Sequence, residues 1–338
     1  MIKTIKTKNL EVGMHVIIPA SWFNHSFVKK HFFIKSPDQM QKIIDSGFDE
    51  VKIDTSKSVP IVKSKTMGYK YKCLPPPDRW GLVKLVPPEI LQAMYDRNLP
   101  PQKKAHIVYK SSVELLEKLF EDPRAENIKE VKQAAAEIVD LVLSQHETSR
   151  YLLRITCHDI YTYTHSVKVG FLAILLSKRL FRRSDAHNMH ELGASFFLHD
   201  LGKVRINPAI IRKQGRLTKE EMGIMKRHPY HAFKILQEAD QLSKECAIIT
   251  MQHHERDDGT GYPMGLKGER IHIYGRICCI ADVYDALTGE RSYKPKLTPF
   301  EALKVMKEEM LNHFHRDIFE QFVLLFTDTG VKRSRRIS

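Results

Sequence analysis

Histidine and aspartate are concentrated in two short strings of this chain. One is His199-Asp200-Leu201-Gly202-Lys203; the other is His253-His254-Glu255-Arg256-Asp257-Asp258-Gly259-Thr260-Gly261-Tyr262-Pro263. His165, His228 and Asp282 lie between and around them. Imidazole and carboxylate in this mixture suit first-row transition metals, and an aspartate can bridge two of them. Two metals ~3.5–4 Å apart are a recurrent device for in-line displacement at phosphorus. These residue types therefore point to metal-assisted hydrolysis of a phosphodiester. Nine of the seventeen histidines fall between positions 158 and 254. A single buried histidine is more often a hydrogen-bonded core residue than a ligand, so the clustering counts only if the residues converge.

The apolar pattern argues that they do. His199-Asp200 closes the apolar run Ala194 to Leu198, His253-His254 follows Ala247 to Met251, and Asp282 follows Ile277 to Ala281. Costly polar groups at the end of a buried segment require partners, and a metal supplies them. Three separate segments deliver ionisable groups at the same point in their patterns. Lys203 lies three residues after Asp200, on the same face if the helix continues, where an ammonium stabilises phosphoryl charge or protonates a leaving group.

From about residue 104 onward, helical periodicity dominates. Helices are expected over the runs containing Val108 to Phe120 and Ala134 to Val142, over Met189 to Leu201, and from Pro299 to about Asn312 behind an N-capping Thr298. Residues 1–66 instead show short β-rich runs (Val16 to Ile18, Phe32 to Ile34, Val51 to Ile53) and one helical pattern from Pro37 to Ser46. The prolines at 75–77, 87–88 and 100–101 mark an extended linker over 67–102. The expected fold class is mainly α: a helical domain over 103–330 with a small N-terminal α+β domain and a basic tail over 331–338.

Hydrophobic content of 42% and charged content of 28% are ordinary for a globular protein. No apolar stretch is long enough to span a membrane, and the N-terminus lacks the apolar core of a signal peptide. The five cysteines (Cys73, Cys157, Cys246, Cys278, Cys279) show no CxxC spacing, which fits reduced thiols in a cytoplasm. A net charge of +14 is compatible with an anionic substrate, nucleic acid or an acidic membrane face. No basic-aromatic surface pattern singles out nucleic acid.

The two strings together resemble the HD-GYP branch of the HD-domain phosphohydrolases. The flanking segments Tyr161 to Ser166, Lys213 to Glu221, His228-Pro229, Ala281 to Leu287 and Arg291 to Lys294 are similar too. The likeness covers roughly 150–326. Leu10 to His15, Trp22 and Val51 to Asp54 resemble the small domain of unknown function that often precedes HD-GYP domains. The resemblance implies a helical bundle, an iron or manganese centre and hydrolysis of bacterial cyclic dinucleotides, chiefly cyclic di-GMP to pGpG and onward to GMP. It implies that His165, His199, Asp200 and Asp282 hold one metal. His228, His253 and His254 would hold a second, with Asp200 bridging and a bridging hydroxide as nucleophile. Trinuclear members carry a carboxylate four residues before the first ligand; Tyr161 stands there, which favours two metals.

For substrate recognition, Gly261 permits close backbone approach and Tyr262 offers a ring to stack on a base or a hydroxyl to donate to phosphate. Arg291 and Lys294 occupy positions that in the resembled family grip the substrate's phosphates. Asp285 and Asp258 are expected to orient ligands. The same chemistry on 3′,3′-cyclic GMP-AMP, a catalytically silent dinucleotide receptor, and a general HD nucleotidase are the competing readings. A homodimer or a GGDEF-type protein is the expected macromolecular partner.

Overall fold

The structure is a computed structural model and describes residues 2–10, 14–17, 31–34, 43, 49–54, 88–96, 98–158, 165–181, 184, 186–289 and 297–327. The chain divides into two compact units, Met1–Gly81 and Leu82–Ser338.

The first unit contains a four-stranded antiparallel sheet in the order β1-β4-β2-β3, formed by β1 (Ile2–Lys6), β2 (His15–Ile17), β3 (His31–Phe33) and β4 (Glu50–Asp54). Val51 and Ile53 alternate with exposed Glu50 and Lys52 along β4, the period-two signature of a sheet with one covered face. They bury with Leu10, Met14, Val16, Ile34 and Ile43 in a core of their own. The helix expected from Pro37 to Ser46 lies outside the described residues except for Ile43.

The second unit is helical. Its helices are α1 (Pro88–Tyr95), α2 (Pro101–Glu121), α3 (Ala125–Ser144), α4 (His146–His158), α5 (His165–Leu180), α6 (Met189–Leu198), α7 (Pro208–Ile211), α8 (Lys219–Met225), α9 (His228–Glu238), α10 (Lys244–Gln252), α11 (Ile273–Thr288), α12 (Pro299–Glu309) and α13 (Arg316–Thr327). Helix α5 is buried almost all round, as its unbroken apolar sequence from Val169 to Leu176 requires. It packs against α6 and α11, while α6 also packs against α3 and α10. One core cluster runs from Ile90 to Leu325.

Two expectations change. The stretch read as extended linker contains α1, and α2 begins at Pro101. A proline in the first helical turn donates no hydrogen bond that the turn would have used, so it starts a helix as readily as it breaks one. Helix α6 stops at Leu198, three residues short of expectation, and a 3-10 turn over Leu201–Arg205 follows. A period of three still brings Lys203 back over Asp200. Helix α12 starts where expected, behind a capping box between Thr298 and Glu301, and ends at Glu309, with a 3-10 turn over Leu311–His313 after it.

Candidate metal centre

Five segments of the helical unit meet at one point. His165 opens α5, His199 and Asp200 follow the last turn of α6, His228 opens α9, His253 and His254 follow α10, and Asp282 lies within α11. Their ligand atoms form two groups, each gathered within 4.8 Å: Asp200, His228, His253 and His254 in one, His165, His199 and Asp282 in the other. Asp200 straddles them. Its Oδ2 lies 3.4 Å from His165 Nε2 and 3.6 Å from His199 Nε2, while its Oδ1 lies 3.2 Å from His228 Nε2.

The protonation pattern follows from what surrounds each ring. His199 Nδ1 is 2.8 Å from the Phe196 carbonyl, His228 Nδ1 is 2.8 Å from that of Met225, and His253 Nδ1 is 2.9 Å from that of Thr250. A carbonyl oxygen only accepts, so each Nδ1 carries the proton and each Nε2 keeps a lone pair. His254 Nδ1 faces Asp282 Oδ2 at 3.2 Å, with the same consequence. Yet the Nε2 atoms of His228 and His253 stand 3.1 Å apart, and those of His228 and His254 3.2 Å. Three lone pairs pointed at one another repel. A cation between them removes the conflict, and the donor set therefore fits a metal. His199 Nε2 makes the same case from the other group: it is buried and has no hydrogen-bond partner among the described residues.

Burial pushes the His199 imidazole down to about 4, and burial likewise lowers His253 and His254, so all three are neutral at pH 7. His165 is different. Burial opposes its charge, but contacts with Asp200, Asp282 and Asp285 outweigh burial and hold it well above the ordinary imidazole value. The Asp285 Oδ2 contact is 2.7 Å from His165 Nδ1, which aims Nε2 at the site. Asp200 and Asp282 stay ionised despite burial, Asp200 through the Lys203 ammonium and the contact with His165, and Asp282 through the contact with His165 and the Nδ1–H of neutral His254.

Lys203 reaches back to hydrogen-bond and ion-pair with Asp200 Oδ2. Tyr262 packs its ring 4.5 Å from that of His254, and its hydroxyl is pushed above the ordinary phenol value, chiefly by burial and then by Asp282 and Asp200. Gly261 permits a tight backbone approach within its own loop. A Cβ there would sit 2.4 Å from Arg256 N and 2.5 Å from His254 O, so the missing side chain lets the loop fold onto itself. Arg291, Lys294 and Tyr161 lie outside the described residues.

Glu255 adds a role beyond the expected site residues. This carboxylate is 1% exposed and accepts from Met264 N at 2.6 Å and from Leu266 N at 2.8 Å. With Tyr262 N donating to His254 O at 3.1 Å, it ties the loop back to the histidine pair. Its place immediately after two candidate ligands was the available signal.

A helical bundle that collects histidines and aspartates from several helices on one point is the architecture of the HD-domain class, and the HD domain family matches residues 161–318. The family described as a domain of unknown function (DUF3391) matches residues 2–134. The chain is 32% identical over 334 residues to a protein of Pseudomonas aeruginosa named cyclic di-GMP phosphodiesterase, covering 96% of this chain and 76% of that protein. It is 32% identical over 223 residues to the cyclic di-GMP phosphodiesterase response regulator RpfG of Xanthomonas campestris, covering 66% of this chain and 55% of that one. A 3′3′-cGAMP-specific phosphodiesterase of Vibrio cholerae is 35% identical over 150 residues, 44% of this chain and 32% of its own. Among solved structures, an HDG"Y"P protein from Bdellovibrio bacteriovorus shares the fold, with a TM-score of 0.60 at 17% identity over 97% of this chain and all of that one. This chain belongs to the HD-GYP family of cyclic dinucleotide phosphodiesterases. Among the described residues no helix is long and apolar enough to cross a membrane.

Proposed function

We propose that this protein hydrolyses cyclic di-GMP to linear pGpG at a centre of two divalent metal ions, and that pGpG is cut further to GMP. The observation that carries the reading is the set of Nε2 lone pairs and two carboxylates converging on one point, with Asp200 spanning both groups. His165, His199, Asp200 and Asp282 would hold one ion, and His228, His253 and His254 the other, with Asp200 shared. Nitrogen and oxygen donors without thiolate suit Fe(II) or Mn(II). Ions bound there supply Lewis acidity at phosphorus and make water a better nucleophile.

The chain's own groups do the rest. Water adds to phosphorus, the bond to the ribose 3′ oxygen breaks, and the departing oxygen takes a proton. Lys203, held over Asp200, carries a positive charge and a proton at the edge of the donor set. Tyr262 keeps its proton at neutral pH and therefore acts as a hydrogen-bond donor. Arg291 and Lys294 would grip the phosphate that meets the metals. Cyclic di-GMP ranks ahead of cyclic GMP-AMP because the alignment to the Pseudomonas relative runs through nearly the whole chain. Free, buried Cys246, Cys278 and Cys279 support a cytoplasmic setting.

The test is product analysis with Fe(II)- or Mn(II)-loaded protein given cyclic di-GMP and cyclic GMP-AMP in parallel. Linear pGpG is expected from the wild type and none from His199→Ala-Asp200→Ala, with Lys203→Ala slowed about 100-fold. Two bound metals without turnover of either dinucleotide would make the protein a receptor instead.

A further inference from the structure

A cyclic dinucleotide carries two phosphodiesters on opposite sides of one ring. Whichever one meets the metals, the other keeps its negative charge and needs a cation outside the donor set. Lys203 is committed to Asp200. Two other cations stand nearby, one against the Tyr262 ring and the other on the same loop. Lys226, which closes α8 two residues before His228, holds its ammonium 5.1 Å from the centre of the Tyr262 ring. Arg256 follows His254 by two residues, and its backbone lies against Gly261. Its guanidinium touches His313 Nε2 at 3.5 Å. Among the described residues neither cation has a carboxylate within 4.0 Å, whereas the nearby Arg205 and Lys213 are paired with Glu238 and Glu221. Lys226 is exposed, so water alone satisfies it; its place is what informs. It stands one aromatic ring away from His254, on the rim of the metal site.

We propose that Lys226, over the Tyr262 ring, and Arg256, on the loop that carries Tyr262, form the subsite for the second, unreacting phosphodiester of a cyclic dinucleotide. This rests on the reading that the metal site takes such a substrate. The subsite makes the enzyme discriminate a two-phosphate ring from a simple phosphodiester, because a contact remote from the reacting phosphorus contributes binding only to a substrate that reaches it.

The experiment compares metal-loaded wild type and Lys226→Ala on cyclic di-GMP and on bis(p-nitrophenyl) phosphate, which has one phosphodiester. KM for cyclic di-GMP is expected to rise about 10-fold, the worth of one charge-assisted contact, with kcat held within about twofold. The ratio of the two substrates' kcat/KM falls by the same factor. Lys226→Arg recovers most of it and Lys226→Glu deepens it. Arg256→Ala should act in the same direction; if that half-buried position does not tolerate the change, the exposed Lys226 series decides alone. Equal losses on both substrates, or none on cyclic di-GMP, would overturn the subsite while leaving the phosphodiesterase standing. A wild type that cleaves bis(p-nitrophenyl) phosphate but no cyclic dinucleotide would overturn both.

Discussion

At the scale of single residues, the centre depends on groups that never face a substrate. His165 points Nε2 inward because Asp285 holds its Nδ1, and the other Asp285 oxygen lies 3.9 Å from the ammonium of Lys168, itself 4% exposed. A carboxylate behind a ligating imidazole fixes the ring and raises its basicity. Asp285→Asn keeps an acceptor for the ring N–H but removes the charge. Metal affinity is expected to fall about 10- to 100-fold with the fold intact, read by competition against a chelating dye. An unchanged affinity would make Asp285 a packing residue. This orienting role was legible in the sequence because a ligand histidine chemically requires such a partner. Glu255 was legible only in part: its place directly after two candidate ligands marks it, but nothing in residue type announces its partners, the backbone amides of Met264 and Leu266.

At the scale of elements, all the candidate ligands but Asp282, which lies within α11, arrive at or just beyond helix ends, where backbone pairing leaves room for polar groups. His199 and His253 are each the residue that closes a helix, and His165 and His228 each open one. Apolar runs ending at Leu198 and Met251 pointed to His199 and His253, whereas no such run precedes His165 or His228. Local periodicity does not encode how the 3-10 turn after α6 sits against α9. There Gly202 is decisive: a Cβ would lie 2.0 Å from the His228 carbonyl and 2.4 Å from Ala232 N, both backbone atoms that cannot swing aside. Gly202→Ala must push apart two elements that each carry ligands. We expect a loss of at least ~1–3 kcal/mol in urea unfolding and weaker metal binding together. A variant as stable as wild type, with full metal content, would show that the turn and α9 can separate without consequence.

At the scale of the whole chain, all seven candidate ligands and the core beneath them belong to the unit from Leu82 onward, and the sheet of the first unit buries its own separate cluster. Composition located the change from β-rich to helical sequence but placed the helical domain's start near 103, because prolines were read as linker. The core contradicts that boundary: Ile90 is fully buried, with Ala93 and Met94 nearly so, on the helix that such a cut would remove. The family match over 2–134 reaches further still, across Val108, Leu115, Leu116, Leu119, Ile128 and Val131, all of them buried in the helical core. Burying one such side chain is worth ~1.5–3 kcal/mol, against a total stability of only ~5–15 kcal/mol. Chains starting at 82, 103 and 135 should therefore behave differently. The first is expected to bind two metals and unfold cooperatively, and the second to do so at a lower midpoint. The third, stripped of the eleven buried core residues from Ile90 to Ala134, should not fold. Metal stoichiometry and thermal melts on the three would show it. A folded, metal-binding chain from 135 would mean that α1, α2 and the first half of α3 merely lie against the site-bearing core instead of completing it.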